Sequence, residues 1–377
     1  MSPLDADLAI LGGGLAGLSL GRQLAMLPHP PRTVILEPRG EYHDDRTWCF
    51  WSRERADLAP LIHAAWPRWR FSSGEREIVR EVGDGVAYRC IRAGDFYRTA
   101  RADIAGREAL TLRLDTRVES LHPATWGVTV DTDAGRLRVR HVVDTRPPDP
   151  ARRQAVTLAQ VFSGVEVRTD EPCFEATTVG LMEAMASDDL GFRFLYILPF
   201  SSTHALVEET RFSALPVPAE RLAADLERAV EQLTGGLLFV PDRWEAGWIP
   251  MGLPDAPAPP GVVRAGTGGG AVRAATGYAF LRIQRWSRDC AARLARGEPP
   301  VGHPPEPGWR RGMDELFLRV LRRHPQRGPA LFMALARGVP AAGLVRFLSD
   351  EARPRDLWRV MRALPAGLFL RELAARG

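Results

Sequence analysis

The chain is 377 residues long, and its 45% hydrophobic and 25% charged residues are typical of a globular protein and exclude a disordered one. Its 50 basic residues, all of them arginine, outnumber 46 acids and give a net charge of +4. No uncharged apolar run reaches the ~18 residues of a membrane-spanning helix, which excludes spanning segments of that kind.

The first 37 residues carry the clearest motif. They predict a buried strand over residues 6–11, an apolar helix, and a second strand over residues 33–36 that ends at Glu37. The first strand runs directly into a G-x-G-x-x-G motif formed by Gly12, Gly13, Gly14, Leu15, Ala16 and Gly17. Such glycines allow a tight turn, close approach to a pyrophosphate and helix packing, while the acid after the second strand can bind a ribose. The pattern predicts a dinucleotide-binding unit with phosphates at the helix N-terminus.

After this unit the chain leaves the nucleotide-binding sheet and returns to it. Residues 44–51 are densely aromatic, include Trp48 and Phe50, and lie in a loop-like position. Short strands and a helix follow, and the last strand ends at Asp144. Residues 1–150 are therefore predicted to hold dinucleotide-binding segments with an inserted aromatic loop.

The next part of the chain is mostly strand-like and predicts a substrate domain over residues 151–250. It contains a predicted hairpin with strands at 194–200 and 205–210. Residues 251–300 predict a return to the nucleotide-binding domain, with a long helix over 276–294. That return passes through a second glycine-rich segment that ends in Gly268, Gly269 and Gly270.

The last part of the chain, residues 301–377, predicts a basic helical region. Residues 310–377 carry fourteen arginines and six acids, a net charge of +8. A basic end on a mildly acidic body indicates an anionic partner surface, and we expect this region to face a membrane. Because no nucleic-acid-binding motif is present, we do not expect nucleic acid as the partner.

The cysteines and histidines indicate the redox state of the compartment and whether a metal site is present. The four cysteines form no C-x-x-C pair, which is typical of free thiols in a reducing compartment. The eight histidines do not cluster, so no metal site is predicted. The first strand begins at residue 6 and leaves no room for a signal peptide. We expect a cytoplasmic protein attached peripherally to the inner face of the cell membrane.

Two glycine-rich sites far apart in sequence favour FAD over a nicotinamide dinucleotide, since FAD is long. Thr267 stands where the aromatic hydroxylases carry an aspartate, which argues against that branch. In order along nearly the whole chain, six segments resemble the bacterial β-cyclase branch of the lycopene cyclase family. They are residues 11–17, 46–50, 192–200, 207–210, 249–251 and 276–278. One departure is Trp51, where that family often has a histidine.

The resemblance implies a fold and a reaction. The implied fold is α/β, with an FAD-binding Rossmann-like domain of the flavoprotein hydroxylase type interleaved with a mixed β-sheet substrate domain and a C-terminal helical region. The implied reaction is acid-catalysed cyclisation of the ψ-ends of lycopene, a C40 polyene, to the β-ionone rings of β-carotene through γ-carotene. It implies reduced FAD without net redox change, in an enzyme of the intramolecular lyase or isomerase class, while NAD(P)H only keeps the flavin reduced.

The candidate catalytic residues are Glu208 and Glu209. Neighbouring residues of a strand point to opposite faces of the sheet, so only one of the two can face a pocket, and periodicity does not say which. The essential acid of the family matches the first glutamate more often, so we expect Glu208 to be the proton donor. Trp48, Phe50 and Tyr196 are expected to line the polyene pocket.

Two other functions remain open from the residues. One is a flavin-dependent monooxygenase or prenyl-chain reductase acting on a hydrophobic membrane substrate, which would consume reductant in proportion to product. The other is a membrane-bound carotenoid carrier that binds polyene without changing it. The type of ring, the number of rings, the natural reductant and the oligomeric state also stay open.

Overall fold

The computed structural model describes residues 3–375 and contains three β-sheets with helices packed around them. The strands are β1 (Ala6–Leu11), β2 (Thr33–Leu36), β3 (Thr47–Ser52), β4 (Ile62–Trp66), β5 (Arg68–Ser73), β6 (Arg76–Glu81), β7 (Ala87–Arg92), β8 (Leu110–Arg113), β9 (Val118–Ala124), β10 (Gly127–Thr132), β11 (Gly135–Asp144), β12 (Leu158–Thr169), β13 (Thr178–Asp188), β14 (Gly191–Pro199), β15 (His204–Ser213), β16 (Phe239–Met251) and β17 (Val262–Arg264). The helices are α1 (Leu15–Ala25), α2 (Ala93–Ala105), α3 (Pro150–Gln154), α4 (Ala219–Thr234), α5 (Phe280–Ala295), α6 (Gly308–Arg323), α7 (Gly328–Gly338), α8 (Ala341–Leu348), α9 (Pro354–Ala363) and α10 (Ala366–Ala374).

The first sheet is the nucleotide-binding one, with the strand order β8-β2-β1-β11-β10-β9 and β17 beside β11. Strands β8, β2, β1, β11 and β17 run parallel, and α1 packs against both α2 and α5. Carboxyl ends of parallel strands meet at one edge of a sheet. The glycine motif after β1 and the second glycine segment after β17 are therefore brought to the same edge.

The second sheet has the order β16-β12-β15-β14-β13-β5-β6. One face packs on α4, and the other contributes to an apolar core shared with the C-terminal helices. Strands β5 and β6 come from residues 68–81, within the range predicted for the nucleotide-binding domain. The two domains are thus interleaved, because an early part of the chain completes the later sheet.

A third, three-stranded sheet holds the aromatic segment, which was predicted to be a loop. That prediction was wrong, since residues Thr47–Ser52 form β3 and pair antiparallel with β7, Cys49 lying opposite Cys90. Aromatic side chains favour extended backbone, which accounts for the strand. The helix predicted from residue 276 begins at Phe280 instead, because Gly277 has a φ of +75°, outside the right-handed helical region.

The C-terminal helices form a cap over the second sheet. Helix α7 contacts β5 and β13, α8 contacts β6, and α9 packs on both α7 and α8. A buried ion pair between Arg273 and Asp314, with Nε–Oδ2 at 3.2 Å, joins α6 to the segment after β17. Within residues 3–375, no helix has both the length and the apolar character needed to cross a bilayer.

Candidate active site

A cavity of about 850 Å³ lies between the two large sheets. One end is lined by the glycine motif after β1 together with Glu37, and the other by the face of the second sheet that carries Glu208. Helices α7 and α8 add apolar side chains to the wall, namely Phe332, Leu335, Leu344, Phe347 and Leu348. A single cavity therefore joins the predicted dinucleotide site to a buried carboxyl group.

The glycine motif has the geometry of a phosphate cradle. Gly12 has a φ of +94°, and a Cβ on Gly17 would collide with the carbonyl oxygen of Gly12. A Cβ on Gly14, in contrast, would meet nothing within 4 Å, because this residue faces the cavity with Gly12, Leu15 and Ala16. The N-cap residue of α1 is Gly14, which has no side chain to cap the helix. The N–H groups and dipole of the helix are consequently available to an anion in the cavity.

Glu37 lies at the end of β2, where the motif predicts the ribose ligand. Its carboxylate accepts hydrogen bonds from the Gly13 N–H at 2.6 Å and from Arg39 Nε at 2.8 Å. Gly13 points away from the cavity wall, and its carbonyl accepts a hydrogen bond from Tyr42. The backbone N–H and Nη2 of Arg39 also donate to this carboxylate, which fills the about four hydrogen-bond sites that a carboxylate offers. A ribose diol at Glu37 would therefore have to replace a contact of Arg39.

The second glycine segment contributes differently from the prediction. Thr267 lines the cavity, whereas Gly268 and Gly269 pack against neighbouring backbone, where a Cβ would clash with it. The carbonyl of Gly268 accepts a hydrogen bond from Arg152 at 2.8 Å, and Gly270 turns the chain with a φ of +91°. These glycines shape the turn at the edge of the cavity, and the side chain that faces the cavity is that of Thr267.

Glu208 faces the cavity from the middle of β15, with 6% of its surface exposed. It lies opposite Tyr196 on β14 and Gly164 on β12. Burial raises the pKa of the Glu208 carboxyl well above its usual range, and the nearby carboxyl of Glu245 raises that pKa further. The side chain is therefore held as a neutral acid in a largely apolar space.

Glu209 points to the other face of the sheet, where α4 packs, and it is fully buried there. Its carboxylate lies 3.4 Å from Arg193 and 3.5 Å from Arg211. Burial raises the pKa of Glu209 to about 7, although the two guanidinium groups oppose this shift. The residue thus belongs to a charge cluster between β15 and α4 rather than to the cavity wall.

The predicted pocket aromatics separate into two groups. Trp48 and Tyr196 line the cavity, whereas Phe50 is buried beside it, stacked on Phe280 with ring centroids 4.9 Å apart. Phe50 was expected to line the pocket but does not, because the ring of Phe280 lies against it. Trp48 also packs near Phe280, at 6.0 Å between ring centroids.

Tyr196, which was predicted to line the pocket, is joined there by Tyr88 and Tyr278, which were not. The hydroxyl of Tyr196 donates to Tyr88 at 2.9 Å, and Tyr88 lies 3.2 Å from the hydroxyl of Tyr278. All three tyrosines line the cavity, although they come from three different parts of the chain. Burial raises the pKa of each phenol, so the three stay protonated and present electron-rich rings.

Acidic and basic groups next to the cavity form a second unpredicted network. Arg243 bridges two buried acids, Glu166 at 2.8 Å and Glu245 at 2.5 Å. Among residues 3–375, Glu166 also lies in a group of possible metal ligands with His204 and Asp242. The guanidinium groups that contact Glu166 supply positive charge where a metal would need negative charge, so the group does not favour a cation.

Comparison with known proteins connects this site to a family. The family model described as "Lycopene cyclase protein" matches residues 7–373. The chain belongs to the lycopene cyclase family. Two curated relatives are named lycopene beta-cyclase. The one from a Paracoccus species (strain N81106) is 27% identical and covers 98% of this chain and 97% of its own. The one from Pseudescherichia vulneris is also 27% identical, covering 94% of this chain and 86% of its own.

Solved structures show the fold of this family member. A geranylgeranyl bacteriochlorophyll reductase-like protein from Thermoplasma acidophilum aligns over 98% of both chains with a TM-score of 0.61 at 14% identity. Aklavinone-11 hydroxylase, solved with FAD and aklavinone, aligns over 78% of this chain and 63% of its own with a TM-score of 0.56 at 15% identity. The predicted fold is confirmed: the chain has the mixed α/β fold of flavoprotein hydroxylases and reductases.

The buried position of Glu209 yields a test of stability against pH. Its pKa rises from the ordinary 4.5 to about 7 on folding, so its contribution to stability is fully present below pH 4.5 and is lost as the pH rises through 7. Glu209→Gln keeps the neutral form at every pH. Between pH 4.5 and 7, we expect the free energy of unfolding of the wild type, measured by urea denaturation, to decrease. The decrease in Glu209→Gln should be smaller, by on the order of 3 kcal/mol. Parallel curves for the two proteins would refute this assignment.

Proposed function

We propose that the protein is an FAD-dependent lycopene β-cyclase, which converts the ψ-ends of lycopene to β-ionone rings. The observation that carries this proposal is the neutral carboxyl of Glu208 in an apolar cavity that also reaches the dinucleotide cradle. Protonation of an alkene needs an un-ionised acid in a dry pocket, and Glu208 meets this requirement. Membership of the lycopene cyclase family supports the choice of substrate.

The residues at the glycine end fit FAD. Gly14, Leu15 and Ala16 would receive the pyrophosphate at the N-terminus of α1, and Glu37 would receive the ribose. Reduced FAD, when bound, supplies an electron-rich ring that stabilises nearby positive charge. In this proposal NAD(P)H serves as the reductant that maintains the reduced flavin.

The proposed reaction begins when Glu208 gives its proton to the terminal double bond of a ψ-end. A C–H bond forms, and the positive charge lies on a tertiary carbon. The neighbouring double bond attacks that carbon and closes a six-membered ring. Loss of a proton from an adjacent carbon then forms the ring double bond. One proton enters and one leaves, so the product is an isomer and no electrons are transferred.

The cavity wall would serve the cationic intermediate. Trp48, Tyr88, Tyr196 and Tyr278 present aromatic rings to the cavity, and ring faces attract positive charge. The phenol hydroxyls bond to one another, which fixes the orientation of the three tyrosine side chains. Apolar side chains from α7 and α8 exclude water, which would otherwise add to the tertiary carbon.

The two adjacent glutamates test the acid assignment. Glu208→Gln removes the transferable proton but keeps the size of the side chain, so we expect cyclisation to fall by at least roughly 10²-fold while flavin remains bound. Glu209→Gln is the matched control and should retain product. Each variant is produced in a lycopene-accumulating host, and the pigments are separated by chromatography. The reverse ranking would assign the proton to Glu209, and near-normal activity in both would place the acid elsewhere.

The alternative proposal is a flavin-dependent monooxygenase or prenyl-chain reductase. It draws support from the fold, which this chain shares with a hydroxylase and a reductase-like protein. The same pigment assay separates the two functions if the reductant is also measured. A cyclase forms many rings under anaerobic conditions without stoichiometric NAD(P)H consumption, whereas a redox enzyme consumes about one equivalent for each product.

The proposed FAD site depends on Gly14. A valine side chain there would enter open cavity space rather than the core, along the proposed path of the pyrophosphate. We expect Gly14→Val to fold normally by circular dichroism and to purify with little or no flavin absorbance. Gly367→Val is the matched control, since a Cβ at that glycine in α10 also meets nothing within 4 Å. A full flavin complement in Gly14→Val would disprove the assignment.

We also propose that the C-terminal helices attach the protein to an anionic membrane, on the cytoplasmic side. Helix α9 exposes 54% of Trp358 and 56% of Met361, beside Arg355 and Arg362. It packs on α7 and α8, which line the cavity. A basic helix with exposed apolar side chains suits a lipid surface, and its position would place the cavity close to a membrane-dissolved polyene.

Vesicle binding tests the membrane proposal. We expect the wild type to prefer vesicles with anionic lipid over neutral ones and to bind less as salt increases. Joint replacement Trp358→Ser with Met361→Ser should weaken binding by at least roughly tenfold, because two apolar anchors are lost. Leu238→Ser is the control, since Leu238 is 86% exposed and lies before β16. Equal losses in both proteins would remove the role assigned to α9.

A further inference from the structure

Three neighbouring strands place two buried carboxyl groups on either side of a glycine. Gly164 of β12 pairs with Glu208 of β15 on one side and with Glu245 of β16 on the other. Directly paired residues of adjacent strands point to the same face of a sheet. Strands lie about 4.8 Å apart, so the two glutamates flank Gly164 on the face that carries the cavity.

Gly164 leaves the space in which these side chains meet. A Cβ at this position would lie 2.7 Å from Cγ of Glu208, which is closer than carbon atoms approach without displacement. Any other residue would therefore push the Glu208 side chain away from its neighbour. The absence of a side chain on the central strand is what allows the two carboxyl groups to approach each other.

Glu245 is fixed on its other side. Its Oε2 accepts a hydrogen bond from the Thr47 hydroxyl at 2.8 Å and from Arg243 at 2.5 Å. The side chain is almost fully buried, and Arg243 is itself held by Glu166. The carboxylate of Glu245 thus has a fixed position and an ion-paired charge, and its remaining acceptor sites are free to face Glu208.

We propose that Glu245 is the positioning residue of the acid: across Gly164 its carboxylate holds the proton of Glu208 in the cavity until the substrate accepts it. This inference rests on the proposed function. Two carboxyl groups that share a site hold one proton between them over a wide pH range. Once Glu208 has given its proton to the polyene, two negative charges face each other, which favours return to the pair of the proton that ring formation releases.

Other charged and titratable groups also face Glu208. Arg46, before β3, and Arg243, from β16, both favour the ionised form of Glu208. Cys49 of β3 and Tyr196 of β14 also lie beside it, and burial raises the pKa of both, so they stay neutral. Among these neighbours Glu245 is the negative charge, and it is the group whose removal should lower the pH at which Glu208 ionises.

The test follows cyclisation by the FAD-loaded protein as a function of pH. Activity needs protonated Glu208, so it declines as the pH rises through the pKa of that group. In Glu245→Gln we expect this decline at a pH lower by about one unit or more, since a like charge is removed. Gly164→Ala keeps both carboxyl groups but separates them, and it should shift the decline in the same direction. Glu183→Gln removes a half-buried acid of β13 that pairs with Arg70, away from Glu245 and from the cavity wall, and should leave the midpoint unchanged.

An infrared titration provides a second readout that needs no substrate. The protonated-carboxyl band of Glu208 is identified as the band lost in Glu208→Gln, and its titration is then compared in wild type and Glu245→Gln. A lower midpoint in Glu245→Gln supports the proposal, and coincident midpoints overturn it. A wild type that makes no cyclic product would contradict the proposed function, while the infrared midpoints would still decide the role of Glu245.

Discussion

The requirement that one carboxylic acid stay neutral governs the arrangement of this site. Burial alone raises the pKa of a carboxyl group, but a buried acid also needs hydrogen-bond partners, or it destabilises the fold. The second sheet satisfies both demands for Glu208 by placing it in a mostly apolar cavity and putting Glu245 within reach across Gly164. Arg243 then balances the charge of Glu245, and the Thr47 hydroxyl donates a hydrogen bond to it. The acid, its partner and the counterion therefore depend on one another.

The alternation of a β-strand separates two chemically identical neighbours. Glu208 faces a cavity in which few groups oppose its neutral form, whereas Glu209 faces α4 and lies near two arginines. A shift of one position in the sequence thus decides whether a glutamate faces the cavity or supports the packing of a helix. A shift in register of one residue would exchange these environments, so the long pairing of β12, β15 and β14 also specifies the chemistry.

The sequence allowed some of these features to be predicted and not others, for physical reasons. The cradle and Glu37 were accessible because β1, the glycines, α1 and β2 are contiguous and their spacing reflects local geometry. Periodicity placed Glu208 and Glu209 on opposite faces but could not say which face was inside, since that depends on α4. The position of Glu245 next to Glu208 could not be predicted, because it depends on how β15 and β16 pair with β12. The burial of Phe50 against Phe280 could not be predicted either, because it is a contact between segments that are distant in sequence.

The interleaving of the two sheets has a consequence for the synthesis of the chain. The nucleotide-binding sheet begins with β1 but is not complete until β17 has emerged, and β5 and β6 must wait for β13. Neither sheet can be completed early in synthesis. A growing chain therefore exposes the apolar walls of the cavity for most of its translation. Long-range pairing of this kind slows folding and leaves intermediates prone to aggregation. A cofactor that bridges the first and last glycine segments would therefore favour the completed topology over its partly folded precursors.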